Sequence, residues 1–398
     1  MEQLDPQVRR IRGQFAGLRT QLLGLLTAGY LLFIPTIGIY RFWLVTQKRR
    51  FYWSNTFIGG DPLEYTGNAR ELLFGFLLAL VIFIPIYLVL IYLGTQNPQA
   101  AGIGTIVVGV LLFFLAGFAL FRSRRYRLTR TLWRGIRLHQ TGSAWKYAFM
   151  RFGWYILLAI TLGLVYPFMS ASLFRYRFNN TWFGDKQFSF SGSWAQIAGP
   201  FYLFWVLGAI CIALMAEQVL SDRGGGPGAI IWLAVLLTIV VLVAIPVIVA
   251  RERSRFMSRL AIGPARLSVH IRARSLIGMY LAYVGMLIVA FTLVSIVFGM
   301  VVGGAAATFG TGETGFDAEE LLAQFQPYLV VLGIFAYLGI MAVMAIVAEL
   351  FISFTFWRMM VRSATIDNAE FLDATKALGE ESPSFGEGLA DALNVGGY

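Results

Sequence analysis

Charge is what this sequence has least of. Lys, Arg, Asp and Glu make up 13% of its 398 residues, 58% are hydrophobic, and the mean hydropathy is +0.70. Soluble domains carry about a quarter charged residues, and they have no means of hiding this much apolar surface. Cysteine is reduced to Cys211, inside an apolar run, which excludes a disulfide framework and a thiolate metal site. The two histidines, His139 and His270, lie far apart in basic stretches and make no metal pair. There is no H-E-x-x-H and no G-x-S-x-G, and none of the four lysines (Lys48, Lys146, Lys186, Lys376) closes a phosphate-binding loop. No catalytic residue, cofactor or metal is assigned, and the reading leans away from an enzyme.

What is present is length of apolar sequence. Eight segments stand out, at 21–45, 72–94, 103–121, 154–174, 197–220, 229–250, 276–302 and 328–357. Runs of about 20 apolar residues cross bilayers as helices, because only then does the backbone satisfy its own hydrogen bonds in lipid. Arg9, Arg10, Arg12 and Arg19 precede the first run, which is too long for a signal peptide and reads as a retained anchor.

Basic residues are distributed unevenly. Residues 122–151 carry nine Lys/Arg and no acid; residues 251–274 carry seven Arg and one Glu. The connectors at 95–102, 221–228 and 303–327 hold one basic residue between them, Arg223. Lys/Arg-rich loops stay cytoplasmic. Eight alternating spans place some basic loop outside whichever way the chain starts. The conflict disappears if segments one and four enter and leave on one side, and each contains a break: Pro35 and Gly38 in the first, Gly163 and Pro167 in the fourth. The expectation is six full spans plus two re-entrant segments, both termini cytoplasmic; the alternative is eight spans, two of them kinked.

Two stretches repeat at an offset of 125 positions, "NTFIGGDPLEYTG" and "NTWFGDKQFSFSG". They share Asn55/Asn180, Thr56/Thr181, Gly59/Gly184 and Gly67/Gly192. Each alternates polar and apolar residues around a glycine turn, the pattern of a short β-hairpin, with Pro62 placed in the first turn. A weaker copy runs from Arg259 to His270 around Gly263. The fold expected is therefore an all-α polytopic membrane protein with three short cytoplasmic β-hairpins, which form a structural collar rather than a ligand site.

The stretches "TIGIYRFWLVTQKRRFYWSNTFIGG", "TLWRGIRLHQTGSAWKYAF" and "TLGLVYPFMSASLFRYRFNNTWFGDKQFSFSG" resemble the YjgN family of bacterial inner-membrane proteins, a domain of unknown function. The likeness runs from about Phe15 to Trp357 and departs at Arg41-Phe42-Trp43, where the family pattern has a Pro-Trp-like pair. It implies a bacterial inner-membrane location and no established activity.

The chain divides into a basic N-terminus (1–19), a first repeat with a connecting helix (20–121), a basic linker (122–147), a second repeat (148–220), a third repeat (228–302), an acidic outer loop (303–327), a last span (328–357) and a cytoplasmic tail (358–398), partly disordered, with a helical turn at "LADAL". Within the outer loop, Gly310 to Gly315 matches G-x-G-x-x-G without the βαβ context a dinucleotide needs, and a short interfacial helix is expected near Asp317 to Phe325.

Glu349 is the deepest acid in a span, Glu217 lying near a span end, and intramembrane carboxylates default to a functional reading with a named partner. Arg41 is that partner, in a structural ion pair or in a proton- or ion-coupling site. Arg122, Arg124, Arg125, Arg127, Arg130, Arg134 and Arg137 form a basic stretch beside a span, read as facing anionic lipid headgroups rather than nucleic acid. Two functions of different class survive: a transporter or channel-like protein, and a scaffold holding anionic lipid or protein partners at its basic face.

Overall fold

In the computed structural model, which describes residues 9–220, 227–309, 333–334, 337–378 and 391, pairs of helices alternate with pairs of short strands. Strand β1 (Ile11–Phe15) leads into α1 (Arg19–Phe33) and α2 (Arg41–Ser54), then β2 (Thr56–Ile58) and β3 (Asp61–Tyr65). The same order follows with α3 (Ala69–Gln96), α4 (Pro98–Thr129), β4 (Thr131–Trp133) and β5 (Ile136–Gln140). Next come α5 (Ala144–Ile160), α6 (Tyr166–Asn179), β6 (Thr181–Phe183) and β7 (Lys186–Phe190), then α7 (Ala195–Leu220), α8 (Pro227–Met257), β8 (Leu260–Ile262) and β9 (Ala265–Ser268). Helices α9 (Ala273–Phe309) and α10 (Tyr337–Ser363) precede β10 (Thr365–Asp367) and the short α11 (Glu370–Asp373).

All ten strands close into one antiparallel barrel. Neighbouring hairpins pair in chain order, and the ring shuts where β10 meets β1, Ile11 opposite Ile366 and Arg12 opposite Thr365. The all-α expectation is thereby corrected. Three expected hairpins correspond to β2–β3, β6–β7 and β8–β9; a fourth, β4–β5, lies in the stretch read as a basic linker, and the fifth pair joins the two ends of the chain. Strands of three to five residues between long helices leave too little periodicity to register. Closure removes every sheet edge, so such short strands need no further protection.

Backbone geometry explains the turns. Gly59 and Gly60 both have positive φ, as do Arg134 and Gly135, whereas in the β6–β7 and β8–β9 turns only Gly184 and Gly263 do. Two-residue loops with such φ values match the right-handed twist of their flanking strands. Pro62 is not in the turn: it lies in β3 opposite Phe57, and it lacks a partner on the β4 side because pairing there begins at Leu63. The missing N–H therefore costs no ladder bond.

Three helix pairs are long and apolar enough to cross a membrane: α3–α4, α7–α8 and α9–α10. These are the six segments expected to span. Only 6–17% of each span's most apolar window is buried within the protein, so their surfaces suit lipid. The pairs α1–α2 and α5–α6 have helices of 14 to 17 residues. At 1.5 Å per residue these reach about 21–25 Å, short of a hydrocarbon core of about 30 Å.

Both short pairs turn back in the same way. Gly38 N–H bonds Phe33 C=O at 2.9 Å and Gly163 N–H bonds Leu158 C=O at 2.8 Å, the six-residue closure of a left-handed helix end. Ile37 and Leu162, each beside its glycine, also have positive φ and stand 92% and 80% exposed at the tips. Pro35 lies in the first turn, and Pro167 occupies the first turn of α6, where its absent N–H is not needed. The Gly310–Gly315 loop, the helix expected at 317–325 and the tail beyond Leu378, apart from Asp391, lie outside the described residues.

Candidate functional site

The junction between the helices and the barrel gathers the chain's polar chemistry. Thr56, Thr131 and Thr181, each the first residue of its hairpin, donate through Oγ1 to the carbonyl four residues back, on Tyr52, Arg127 and Arg177, at 2.7–2.8 Å. Each hydroxyl also accepts from the preceding helix pair: Trp357 Nε1 to Thr56 at 2.9 Å, Trp53 Nε1 to Thr131 at 2.9 Å, and Arg124 Nη1 to Thr181 at 3.1 Å. The repeated threonine is thus the joint that fastens one unit to the next. Asn55 and Asn180 cap the helices before them, their Nδ2 donating to Phe51 C=O at 2.8 Å and Tyr176 C=O at 2.6 Å. Gly67 and Gly192 leave room for the rings of Tyr65 and Phe190, which any β-carbon there would strike.

Inside the barrel lies an apolar cavity of about 240 Å³, lined by Trp133, Leu138, Phe183, Phe188 and Leu267 and reached by Leu372 of α11. Alternate strand residues point inward and supply this lining. Above it, Phe15, Tyr52, Trp53, Tyr65 and Phe354 form an aromatic layer. The barrel interior and its mouth therefore change from apolar to cationic over a short distance.

Cations come from the returning helices. Arg49, Arg124, Arg253 and Arg358 each stand seven residues before the first residue of the next strand. On α6 that position is Phe174, and Arg177 sits one turn further on. Arg49 is 2% exposed; both its Nη atoms hold the Asp391 carboxylate, with Nη2 to Oδ1 at 2.9 Å, and Nη1 also donates to Tyr65 Oη at 3.0 Å. Ser123 Oγ donates to the same carboxylate at 3.2 Å, and Arg127 Nε lies 3.8 Å from it. Burial opposes the charge on Arg49, but Asp391 and Tyr65 more than offset this, so its pKa rises and it stays a cation. Burial also pushes the Tyr65 phenol up, against the pull of Arg49, so it stays protonated.

Arg124 extends the cluster. It donates to Arg177 C=O at 2.9 Å, lies 4.4 Å over the Phe178 ring, and is within electrostatic range of Arg127 and Arg177. Arg253 is within range of Arg177 in turn, beside Glu252, whose carboxylate accepts from Tyr166 at 3.0 Å and Ser170 at 2.8 Å. Among the described residues no carboxylate forms an ion pair with Arg124, Arg177 or Arg253. Arg49 and Arg127 hold the Asp391 carboxylate, and Arg124, Arg177 and Arg253 continue from Arg127 as a chain of neighbouring cations, so four helix pairs contribute.

Glu349 sits on a π-helical turn of α10, Glu349–Ser353, and is 8% exposed. Its partners are Lys48 Nζ and Tyr52 Oη, both at 2.9 Å. Arg41, the expected partner, lies at the start of α2, about two turns from Lys48 and further from the barrel, and the structure does not bring it into an ion pair with Glu349. Arg41 and Lys48 lie on the same helix, and it is Lys48 that reaches Glu349. Lys48 belongs to the basic triplet before the hairpin, and reaching it required knowing that α10 packs beside α2.

The seven arginines of residues 122–137 do not form one face. Arg124 and Arg127 turn into the cluster; Arg130 pairs with Glu71 at 2.9 Å; Arg134 joins Asp61 at 2.5 Å and Asp373 at 2.6 Å; and Arg137 donates to Thr129 C=O at 2.5 Å. Arg122 stacks over Phe118 at 5.9 Å, and Arg125 is half-buried.

A ring of lipid-suited helix pairs on a closed barrel, with an arginine cluster at the junction, defines an integral membrane protein. The chain belongs to a family described as bacterial protein of unknown function (DUF898), matched over residues 10–221 and 221–379. No curated protein and no solved structure matches it.

Proposed function

We propose that the protein is a channel- or transporter-like protein of the bacterial inner membrane, YjgN-like in its narrower kinship, that handles small anions. The observation that carries this reading is the meeting of Arg49, Arg124, Arg127, Arg177 and Arg253 near the barrel mouth, where among the described residues Arg124, Arg177 and Arg253 form no ion pair. Clustered cations in a poorly solvated site are costly unless an anion joins them, and rings of Arg or Lys are how pores select anions. The two helix pairs that turn back after about 21–25 Å, short of a full crossing, resemble the broken segments that line transport paths. Their exposed tips, Ile37 and Leu162, support re-entry into lipid rather than a place in water.

Every Lys/Arg-rich stretch lies at the barrel end of its helices, which supports a cytoplasmic barrel and cytoplasmic termini. The same placement is the observation that favours the second reading, a scaffold that holds anionic lipid at this face. Purified protein in liposomes decides between them. Flux of chloride, inorganic phosphate or succinate that falls at least tenfold in Arg124→Gln supports transport. Absence of flux for all three, together with binding to phosphatidylglycerol vesicles that salt abolishes, supports the scaffold.

A further inference from the structure

We propose that the Arg49 site is a binding site for a small free dianion, a dicarboxylate or a phosphate, and that Asp391 is its tethered occupant. The site is built by the framework, and its ligand comes from position 391. Arg49 on α2, Tyr65 on β3, and Ser123 and Arg127 on α4 belong to elements fixed by the barrel. The carboxylate arrives from position 391, more than three hundred residues away, and is itself 3% exposed.

Its polar contacts are those of a bound anion: the two Nη atoms of Arg49, Ser123 Oγ at 3.2 Å, and Arg127 Nε at 3.8 Å. A forked guanidinium takes carboxylate or phosphate through two parallel bonds, and this geometry selects such oxyanions over spherical ions.

Around this aspartate, buried polar atoms on Arg49 and on the neighbouring β5 stay unpaired. Arg49 Nε is buried without a hydrogen-bond partner. Gln140 is fully buried with both its amide atoms unpaired, and it faces Thr181, the residue that Arg124 bonds, across the β5–β6 ladder. Among the described residues, Arg124 and Arg177, neighbours of Arg127, have no carboxylate partner. A ligand with a second anionic group would reach donors that the short aspartate side chain leaves unused, and a buried unpaired donor or amide is costly. Asp391 therefore acts as a competitive occupant: a free dianion displaces it, and it holds the site when the dianion is scarce. The proposal holds whether or not the anion crosses the membrane, because it concerns binding alone.

The test uses the full chain in detergent, with succinate and inorganic phosphate as probes and chloride as control, read as melting temperature against anion concentration. Asp391→Asn should respond to succinate or phosphate at concentrations at least tenfold lower than the wild type, and to chloride no more than the wild type does. Adding Arg49→Gln to Asp391→Asn should abolish the response. If Asp391→Asn is recovered only when succinate or phosphate is present during purification, that rescue also supports the site. Equal dose dependence in the wild type and Asp391→Asn, or a response that survives Arg49→Gln, overturns it. So does failure to recover Asp391→Asn with either anion when the wild type shows no shift. Tight binding with no flux in liposomes would leave this site standing and remove the transport reading.

Discussion

Lys48 Nζ lies 2.9 Å from Glu349 Oε2, and Tyr52, one turn further along α2, donates to the other carboxylate oxygen at the same distance. The first helix pair is thereby clamped to the last, at a π-helical turn that swings Glu349 toward α2. Such turns interrupt the regular α ladder and often accompany special side-chain placement. The ring closes twice, once in the barrel through β1–β10 and once here through charge.

Removing one partner of this pair leaves the other in a poorly solvated place. Glu349→Gln should destabilise the protein by about 3 kcal/mol, since orphaning a buried charge costs more than the pair contributes. Adding Lys48→Met should restore part of the loss, whereas adding Arg41→Gln should be additive with Glu349→Gln. Melting temperatures of the singles and doubles in detergent check this. Coupling to Arg41 with none to Lys48 would refute the clamp.

The threonine joints predict a graded series. Thr131→Val removes the acceptor for Trp53 and one donated bond, and should cost about 1–2 kcal/mol. Thr181→Val removes one of two acceptors of a charged donor, Arg124, and should cost about 1.5–3 kcal/mol. Thermal unfolding followed by tryptophan fluorescence reports both, and equal, negligible losses would mean that the joints carry no stability.

Left-handed backbone at the two tips makes a third expectation. Gly38→Leu and Gly163→Leu force a β-carbon into positive φ and should cost about 1–3 kcal/mol each. Gly109 sits in a span with open space around its Cα, so Gly109→Leu should be tolerated. Amounts of folded protein extracted from membranes measure the difference; equal recovery of all three would mean that the tips are simple kinks.

Orientation is open to a labelling test in a Cys211→Ala background. Gln99→Cys, at the turn between α3 and α4, should react with a membrane-impermeant maleimide added outside intact cells. Asp185→Cys, on a barrel turn, should react only after the cells are opened. The reverse pattern would place the barrel outside and remove the cytoplasmic assignment.

How much of this was legible beforehand depends on the range of the interaction. Six spans, two broken segments and three hairpin signals come from local features: apolar runs of sufficient length, Gly and Pro at breaks, and alternation around a glycine turn. The charge parity that pointed to paired entry and return is also a property of the chain alone, and the barrel accounts for it by receiving both ends of every helix pair. The fourth hairpin escaped because its turn uses Arg134-Gly135 and its strands carry Arg137 and His139, so it reads as part of a basic helix. An arginine seven residues before four of the five strand pairs was present in the sequence, but without strand positions it had no reference point.

Only the tertiary structure decided what those elements do to one another. Barrel closure joins residues from the two ends of the chain, Ile11 and Ile366, and no local pattern announces a pairing over that separation. The same holds for Glu349 with Lys48 and for Arg49 with Asp391, where partners were chosen by which helices a closed ring sets side by side. Hydrophobicity and backbone conformation act over a few residues and are written in the chain as it stands. Charge pairing and cavity lining depend on distances in space, and the ring fixes those distances only when its last strand meets its first.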